Sequence, residues 1–260
     1  MKLLFLGTGA AQNHITPESQ IQDGARRGST LLIDGTILID VSIQSIDFSK
    51  KLGLDTSAVT DIFITHTHDD HYAPSSLLKY AAEAKVKINL WCHRGAVEHL
   101  LLDETQAQAV NICPLEVGET VETNNARVTA LAANHIVSGN EQPLHYIIER
   151  NGKKLFYGCD GGWFLGQTWS QINRHKPDGA VLECTVGDHP SDRRIGGHNT
   201  MPMVRILAAA LKDGIMPESG IVMASHLGNM LHDYMSHEQI AEKFHAFGVL
   251  AAYDGMAVEI

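Results

Sequence analysis

The stretch "IFITHTHDDHY", from Ile62 to Tyr72, constrains this chain more than any other. An apolar run leads directly into His66, His68, Asp69, Asp70 and His71. A strand ending in this way gathers lone pairs and charges at one edge of a sheet. His66 and His68 lie two apart, so an extended backbone sends both imidazoles to the same side. Asp70 and His71 fall where the next helix begins. The stretch offers two ligand pairs, which begin two metal sites and complete neither, because zinc-like ions take three or four nitrogen and oxygen ligands. Left without a cation, these side chains would have little structural purpose at a strand edge.

Further ligands stand at the ends of later apolar runs: His135 in "LAANH", Asp160 in "FYGCD" and His226 in "VMASH". A loop leaving a sheet edge would carry each into a cleft. His93, His99 and His175 stand alone and are read as surface or satisfied core residues. His189 and His232 lie near ligand loops and receive no metal role.

The rest of the chain reads as sheets packed face to face with helices outside. "KLLFLG" is a buried strand. Two hairpins turn on Asp34-Gly35 and Asn151-Gly152, pairs that supply positive backbone angles. "DIFIT", "KINLW", "AVLEC", "GIVMAS", "VLAAY" and "MAVEI" are further strands. Helices are expected at "APSSLLKYAAEA", "GAVEHLLLDET", "GWFLGQTWSQINRH", "MVRILAAALKDG" and "HEQIAEKFHAFG". With 260 residues, 44% hydrophobic, and no low-complexity linker, residues 1–260 are expected to form one domain.

A formal net charge of -10 argues against a protein that coats nucleic acid, since such binding depends on clustered Lys and Arg. Cys92, Cys113, Cys159 and Cys184 show no C-x-x-C spacing and suit buried thiols in a reducing compartment. The opening "MKLLFLGTGA" is apolar only from Leu3 to Leu6, too short for a signal peptide, and no run reaches the ~18 apolar residues of a membrane span. A cytoplasmic location without membrane partners is expected.

The H-x-H-x-D-H pattern of His66, His68, Asp70 and His71, followed by His135, Asp160 and His226, resembles the metallo-β-lactamase superfamily of binuclear metallohydrolases. The likeness runs from "LGTGAA" to "YDGM". It implies an α/β fold (α+β in some schemes), a single four-layer αββα sandwich with metals at one edge between the sheets. It also implies that His66, His68 and His135 hold one divalent ion, that Asp70, His71 and His226 hold another, and that Asp160 bridges them. Zn, Mn and Fe all suit such ligands. Oxygen-reducing relatives carry Glu where His68 stands, so hydrolysis is implied. Two such ions would lower the pKa of a bridging water from 15.7 toward ~7, and the resulting hydroxide would attack an ester.

Within the superfamily, "LGTGAA", "LLID" after "RRGST", and "AAYDGM" resemble the branch of ribonuclease Z and phosphoribosyl cyclic phosphodiesterase. "LECTVGDH" followed by "GGHNT" is similar to that branch's pairing of an acid at a strand end with a histidine opening a helix. Glu183 and His198 are the corresponding residues. A carboxylate on one ring nitrogen fixes the tautomer, so His198 would act as general acid beside Glu183 and Asp70. The competing reading makes His198 a simple helix cap. Arg26, Arg27, Arg193 and Arg194 are candidates to pair with phosphate oxygens, with a solvated face as the alternative. "LGTGAA" is weak evidence for a phosphate loop; Gly7 and Gly9 are expected to let the backbone turn beneath the metals.

The departures are Gly161-Gly162 after Asp160 where a hydroxyl residue is common, Asn229 where a second histidine is frequent, and no cysteine cluster near the start. The expected partner is a small phosphate ester; a homodimer is the commonest assembly. Ribonuclease Z grips tRNA with a long basic arm that is not evident here, so nucleic acid is disfavoured. A lactonase or thioesterase would not need the Glu183–His198 pair. A metal-binding sensor or inactive subunit is the non-enzymatic alternative.

Overall fold

The computed structural model describes residues 1–11, 26–123 and 126–260. In chain order these form β1 (Lys2–Gly7), β2 (Thr30–Ile33), β3 (Ile37–Ile39), α1 (Ser45–Lys51), β4 (Asp61–Phe63), α2 (Pro74–Glu83) and β5 (Asn89–His93). There follow α3 (Glu104–Ala107), β6 (Asn111–Leu115), β7 (Thr120–Thr123), β8 (Ala126–Ala132), β9 (Leu144–Arg150) and β10 (Lys153–Gly158). The chain ends with α4 (Gly166–His175), β11 (Gly179–Glu183), α5 (Met201–Lys212), β12 (Ile221–Ser225), α6 (His237–His245), β13 (Leu250–Ala251) and β14 (Ala257–Glu259).

The strands build two sheets, ordered β14-β1-β2-β3-β4-β5-β6 and β13-β12-β11-β10-β9-β8-β7. Their side chains alternate between two buried layers, as the two-residue period of a strand requires. Leu3, Phe5, Leu31 and Ile33 face inward and meet Tyr146, Ile148, Leu155 and Val181 of the other sheet. Leu6, Leu32 and Leu38 face outward against Leu77 and Tyr80 of α2. Ala180, Leu182 and Val222 meet Val204 and Leu207 of α5 and Phe244 of α6 on the far side. The result is the expected αββα sandwich. Strands covered on both faces explain why "TLLI" and "AVLE" read as unbroken apolar runs. Full burial of each such Leu, Ile or Phe stabilises the fold by roughly 1.5–3 kcal/mol.

Both expected hairpins form, with positive φ at Asp34 (46°), Gly35 (72°), Asn151 (52°) and Gly152 (73°). Gly7 serves a close approach: a Cβ there would stand 1.8 Å from the Gly28 carbonyl oxygen. The stretch expected as one helix, "GAVEHLLLDET", is instead a 3-10 turn over Arg94–His99 followed by the short α3. Leu101 takes φ 53°, which ends the first segment, and the Asp103–Gln106 capping box starts the second. The helix expected from Gly162 begins only at Gly166. Among the described residues no helix is long and apolar enough to cross a membrane.

Candidate metal centre

Strands β10, β11 and β12 run parallel, while β8 and β10 are both antiparallel to the β9 between them. The C-terminal ends of β8, β10, β11 and β12 therefore emerge at one edge of the second sheet. Just beyond them come His135, Asp160 and His226, and Glu183 is the last residue of β11. From the first sheet, β4 delivers His66, His68, Asp70 and His71 to the same edge. Two hydrogen bonds tie the sheets there: Tyr146 Oη donates to the Ile64 carbonyl at 2.6 Å, and Leu144 N donates to the Thr65 carbonyl at 2.8 Å. Glu141 fixes the loop between His66 and His68, accepting from Thr67 N at 2.9 Å and from Thr67 Oγ1 at 2.5 Å.

The seven expected ligands converge. His66 Nε2 lies 2.9 Å from His68 Nδ1, which lies 3.3 Å from His135 Nε2. His226 Nε2 lies 3.0 Å from both His71 Nε2 and Asp70 Oδ2. Asp160 Oδ2 stands between these groups, 3.5 Å from His135 Nε2, 3.7 Å from His71 Nε2 and 3.6 Å from His226 Nε2.

The outward nitrogens show what the inward ones present. Asp40 Oδ2 accepts from His71 Nδ1 at 2.8 Å, and the Gly197 carbonyl accepts from His135 Nδ1 at 3.0 Å. Thr185 Oγ1 donates to Glu183 Oε2 and so accepts from His226 Nδ1, each at 2.7 Å. Thr65 Oγ1 donates to Asp40 at 2.9 Å and so accepts from His66 Nδ1 at 3.1 Å. In the neutral form, all four rings then carry their proton outward and aim a lone pair inward. His71 and His226 bring two such lone pairs to 3.0 Å beside the Asp70 carboxylate. Acceptors packed so closely repel unless positive charge sits between them, carried by a proton on His71 or by a metal ion. The donor set therefore fits metal ions.

The electrostatics agree. Burial, and then the neighbouring imidazole charges, push His66 well below its ordinary value and lower His68, keeping both in the neutral ligand form. Against its burial penalty, Asp70 is held down to about 2 by His71 and His226. His71, though buried, is raised to about 9 by Asp70 and Asp40 when no metal shares the site. That shift records how strongly these carboxylates call for positive charge. Asp40 and His226 also occupy positive φ (62° and 53°), a strained backbone that persists where surrounding contacts over-determine it.

His198 joins this cluster from the loop before α5. Its Nδ1 is 2.8 Å from Asp160 Oδ1 and 3.6 Å from Glu183 Oε1. Asp160 is thus the nearer carboxylate. Glu183 also accepts from Thr185 N, Thr185 Oγ1 and the backbone N–H of Asn199. Thr200, not His198, caps α5 by accepting from Met203 N. Burial opposes charge on His198, yet Asp160 and then Glu183 raise it to about 11, so these carboxylates favour the protonated ring. Gly161 and Gly162 leave support of Asp160 to other residues: His145 Nε2 donates to the Asp160 carbonyl at 3.0 Å, and Asn199 Nδ2 to the Gly161 carbonyl at 2.9 Å.

Above the cluster opens a cleft of about 210 Å³ lined by His68, His135, Asp160, His198, His226 and Arg194, among others. Arg193 is exposed. Arg26 and Arg27 are buried and engaged: Arg26 donates to Thr8 Oγ1 and the Ala252 carbonyl, while Arg27 pairs with Asp254 at 3.3 Å and stacks on Phe48. His189 pairs with Asp233 at the surface, and His232 donates to the Cys184 carbonyl. The Asn229 carbonyl accepts from Tyr234 N at 3.0 Å.

The sequence model of the Beta-lactamase superfamily domain matches residues 36–219. The chain belongs to this β-lactamase superfamily. A Ribonuclease Z of Gemmatimonas aurantiaca is 28% identical over 228 residues, covering 79% of this chain and 69% of that protein. Among solved structures, zinc-bound PqqB from Methylobacterium extorquens aligns with TM-score 0.75 at 18% identity, covering 100% of both chains. A diphosphatase of the PhnP family aligns with TM-score 0.74 at 17% identity, covering 100% of this chain and 96% of the other. Human short-form tRNase Z aligns with TM-score 0.70 at 19% identity, covering 100% and 99%. These structures share the fold. Superfamily membership together with the His and Asp cluster makes the chain a metal-dependent hydrolase.

Sequence reasoning passed over Asp40, Thr65, Glu141, His145 and Thr185. Asp40 carried a usable signal, since it ends the apolar run "TILID" as Asp160 ends "LFYGCD". The others carried none, because a single polar residue inside a strand or loop acquires its meaning only from what lies across the fold.

Proposed function

We propose that the protein is a binuclear phosphodiesterase acting on small or cyclic phosphate esters, with residues 1–260 forming one catalytic domain. His66, His68 and His135 would hold one divalent ion and Asp70, His71 and His226 a second, with Asp160 between them. When bound, such ions supply a water acidified toward ~7 and Lewis acidity toward the ester oxygens. Zn, Mn and Fe all suit imidazole and carboxylate donors. The unity of the domain is supported by β1 pairing with both β14 and β2, and by the Met1 amine donating to the Ile260 carbonyl at 3.1 Å.

His198 carries the phosphodiester reading. Carboxylates on its Nδ1 side favour the charged imidazole, and Nε2 has no protein partner among the described residues. A protonated ring at the cleft can deliver its proton to a departing alkoxide. Thioesters, which expel a far less basic thiolate, depend less on such an acid. The test is His198→Ala in the metal-loaded protein, with an alkyl-leaving phosphodiester compared against a p-nitrophenyl one. Loss of a general acid slows the alkyl ester by ~10²–10⁴-fold and the p-nitrophenyl ester far less. An unchanged alkyl rate would remove His198 as the acid.

The relative named Ribonuclease Z supports a second reading, endonucleolytic cleavage of RNA. The net charge of -10 weighs against it. Turnover of a 3′-extended precursor tRNA exceeding that of small diesters would favour this second reading. The free cysteines suit a reducing cytoplasm.

A further inference from the structure

The strongest feature left unused is Arg194. Among the described residues lining the cleft it is the permanent cation, the others being neutral, acidic or imidazole groups. Its side chain is 31% exposed and sits in the 3-10 turn Arg193–Gly196, opened by Asp192. Asp192 accepts from the Arg194 backbone N–H at 2.8 Å and lies 3.3 Å from Arg194 Nε. The ion pair keeps the Nε edge of the guanidinium beside Asp192. The two terminal nitrogens of the guanidinium have no partner among the described residues. A planar fork held in this way matches two oxygens of a phosphate or carboxylate.

Charge balance says which anion it would serve. On the binuclear reading, on which this inference rests, two divalent cations are offset by the four carboxylates of Asp40, Asp70, Asp160 and Glu183, and the proton of His198 is committed to the leaving group. The metals then suit the single charge of a diester. A second anionic group on the substrate would find no counter-charge among the metals. Arg194, paired with Asp192 on its Nε side, presents the terminal nitrogens of its guanidinium at the cleft.

We infer that Arg194 is a specificity residue whose guanidinium binds a second anionic group, a terminal phosphate or carboxylate, on a small phosphodiester substrate. The backbone carbonyl of Arg194 also accepts from Gly197 N and His198 N, both at 2.9 Å. A side-chain substitution leaves those bonds intact, so the loop carrying His198 is not the variable under test.

The experiment compares ethyl p-nitrophenyl phosphate with 2-phosphoethyl p-nitrophenyl phosphate in metal-loaded wild type, Arg194→Ala and Arg194→Lys, after metal content has been matched. Wild type should favour the phosphoethyl diester in kcat/KM. The ratio of the two kcat/KM values should fall about 10- to 100-fold in Arg194→Ala, mainly through KM, as expected for a lost charged hydrogen-bond pair. Arg194→Lys, which keeps the charge without the fork, should retain part of the ratio. A ratio within twofold of wild type in Arg194→Ala overturns the inference. A catalysis-independent readout separates this from failure of the phosphodiesterase reading: calorimetric binding of propane-1,3-diphosphonate and of methylphosphonate to the loaded protein. Tighter binding of the diphosphonate should disappear in Arg194→Ala even if no ester is turned over; its persistence overturns the inference.

Discussion

Asp40→Asn isolates the logic of the metal centre. Both oxygens of Asp40 are committed: Oδ1 accepts from Thr65 N at 2.7 Å and Thr65 Oγ1 at 2.9 Å, and Oδ2 accepts from His71 Nδ1 at 2.8 Å. Asparagine keeps one acceptor and turns the other oxygen into a donor. If its carbonyl stays on Thr65, its amide faces His71 Nδ1, which must then accept, and the ring proton moves to Nε2. Nε2 is the atom that faces His226 and Asp70, so His71 would no longer offer a lone pair to the proposed ion. If the amide turns over instead, two donors of Thr65 lose their acceptor and the loop that starts His66 loosens. The backbone does not confuse the result, because Asn tolerates the positive φ of 62° at this position. Loss of a partner behind a ligating histidine costs ~10–100-fold in metal affinity, equivalent to about 1.4–2.7 kcal/mol. Competition titration against a chromophoric chelator should resolve two affinities in wild type. In Asp40→Asn the ion expected at Asp70, His71 and His226 should weaken by that factor, more than the ion at His66, His68 and His135. Two affinities within twofold of wild type would refute the tautomer argument.

Other outcomes follow from the same contacts. Stripping the protein with a chelator should lower its melting temperature, and adding divalent metal at ~100 times its dissociation constant should restore about 2.7 kcal/mol of stability, read by thermal unfolding. Glu141→Ala leaves the backbone N–H and hydroxyl of Thr67 without their acceptor; it should cost about 1–3 kcal/mol in urea unfolding and weaken the His66 and His68 site in the same chelator titration. Asp254→Ala removes the carboxylate that accepts from Thr8 N, Thr8 Oγ1 and Arg27 N; it should destabilise by about 3–5 kcal/mol because Arg26 and Arg27 stay buried without it. Gly7→Ala drives a methyl into the Gly28 carbonyl, so the soluble, metal-binding fraction should fall sharply, as size-exclusion chromatography with metal analysis would show.

By itself the sequence determined the sandwich and the ligand candidates, because both follow from local pattern. Apolar runs covered on both faces announce buried strands, and Asp-Gly and Asn-Gly pairs announce hairpins by their positive φ. A histidine or aspartate closing such a run marks a sheet edge, which placed His66, His68, His71, His135, Asp160 and His226. Local pattern failed where the decisive partner lies far along the chain. The break at Leu101 inside an expected helix came from backbone geometry that its apolar neighbours did not signal. Asp40 lies behind His71 across 31 positions, and Thr185 behind His226 across 41. Only the packed fold revealed that Asp160 stands closer to His198 than Glu183 does. The tertiary structure also separated Arg26 and Arg27, locked beneath the surface with Asp254, from Arg194 at the cleft. The physical reason is one of range. Side-chain periodicity acts over a few residues and is written in order along the chain, whereas hydrogen-bond partners and charge balance are set by distances across the sandwich that exist only once both sheets have closed.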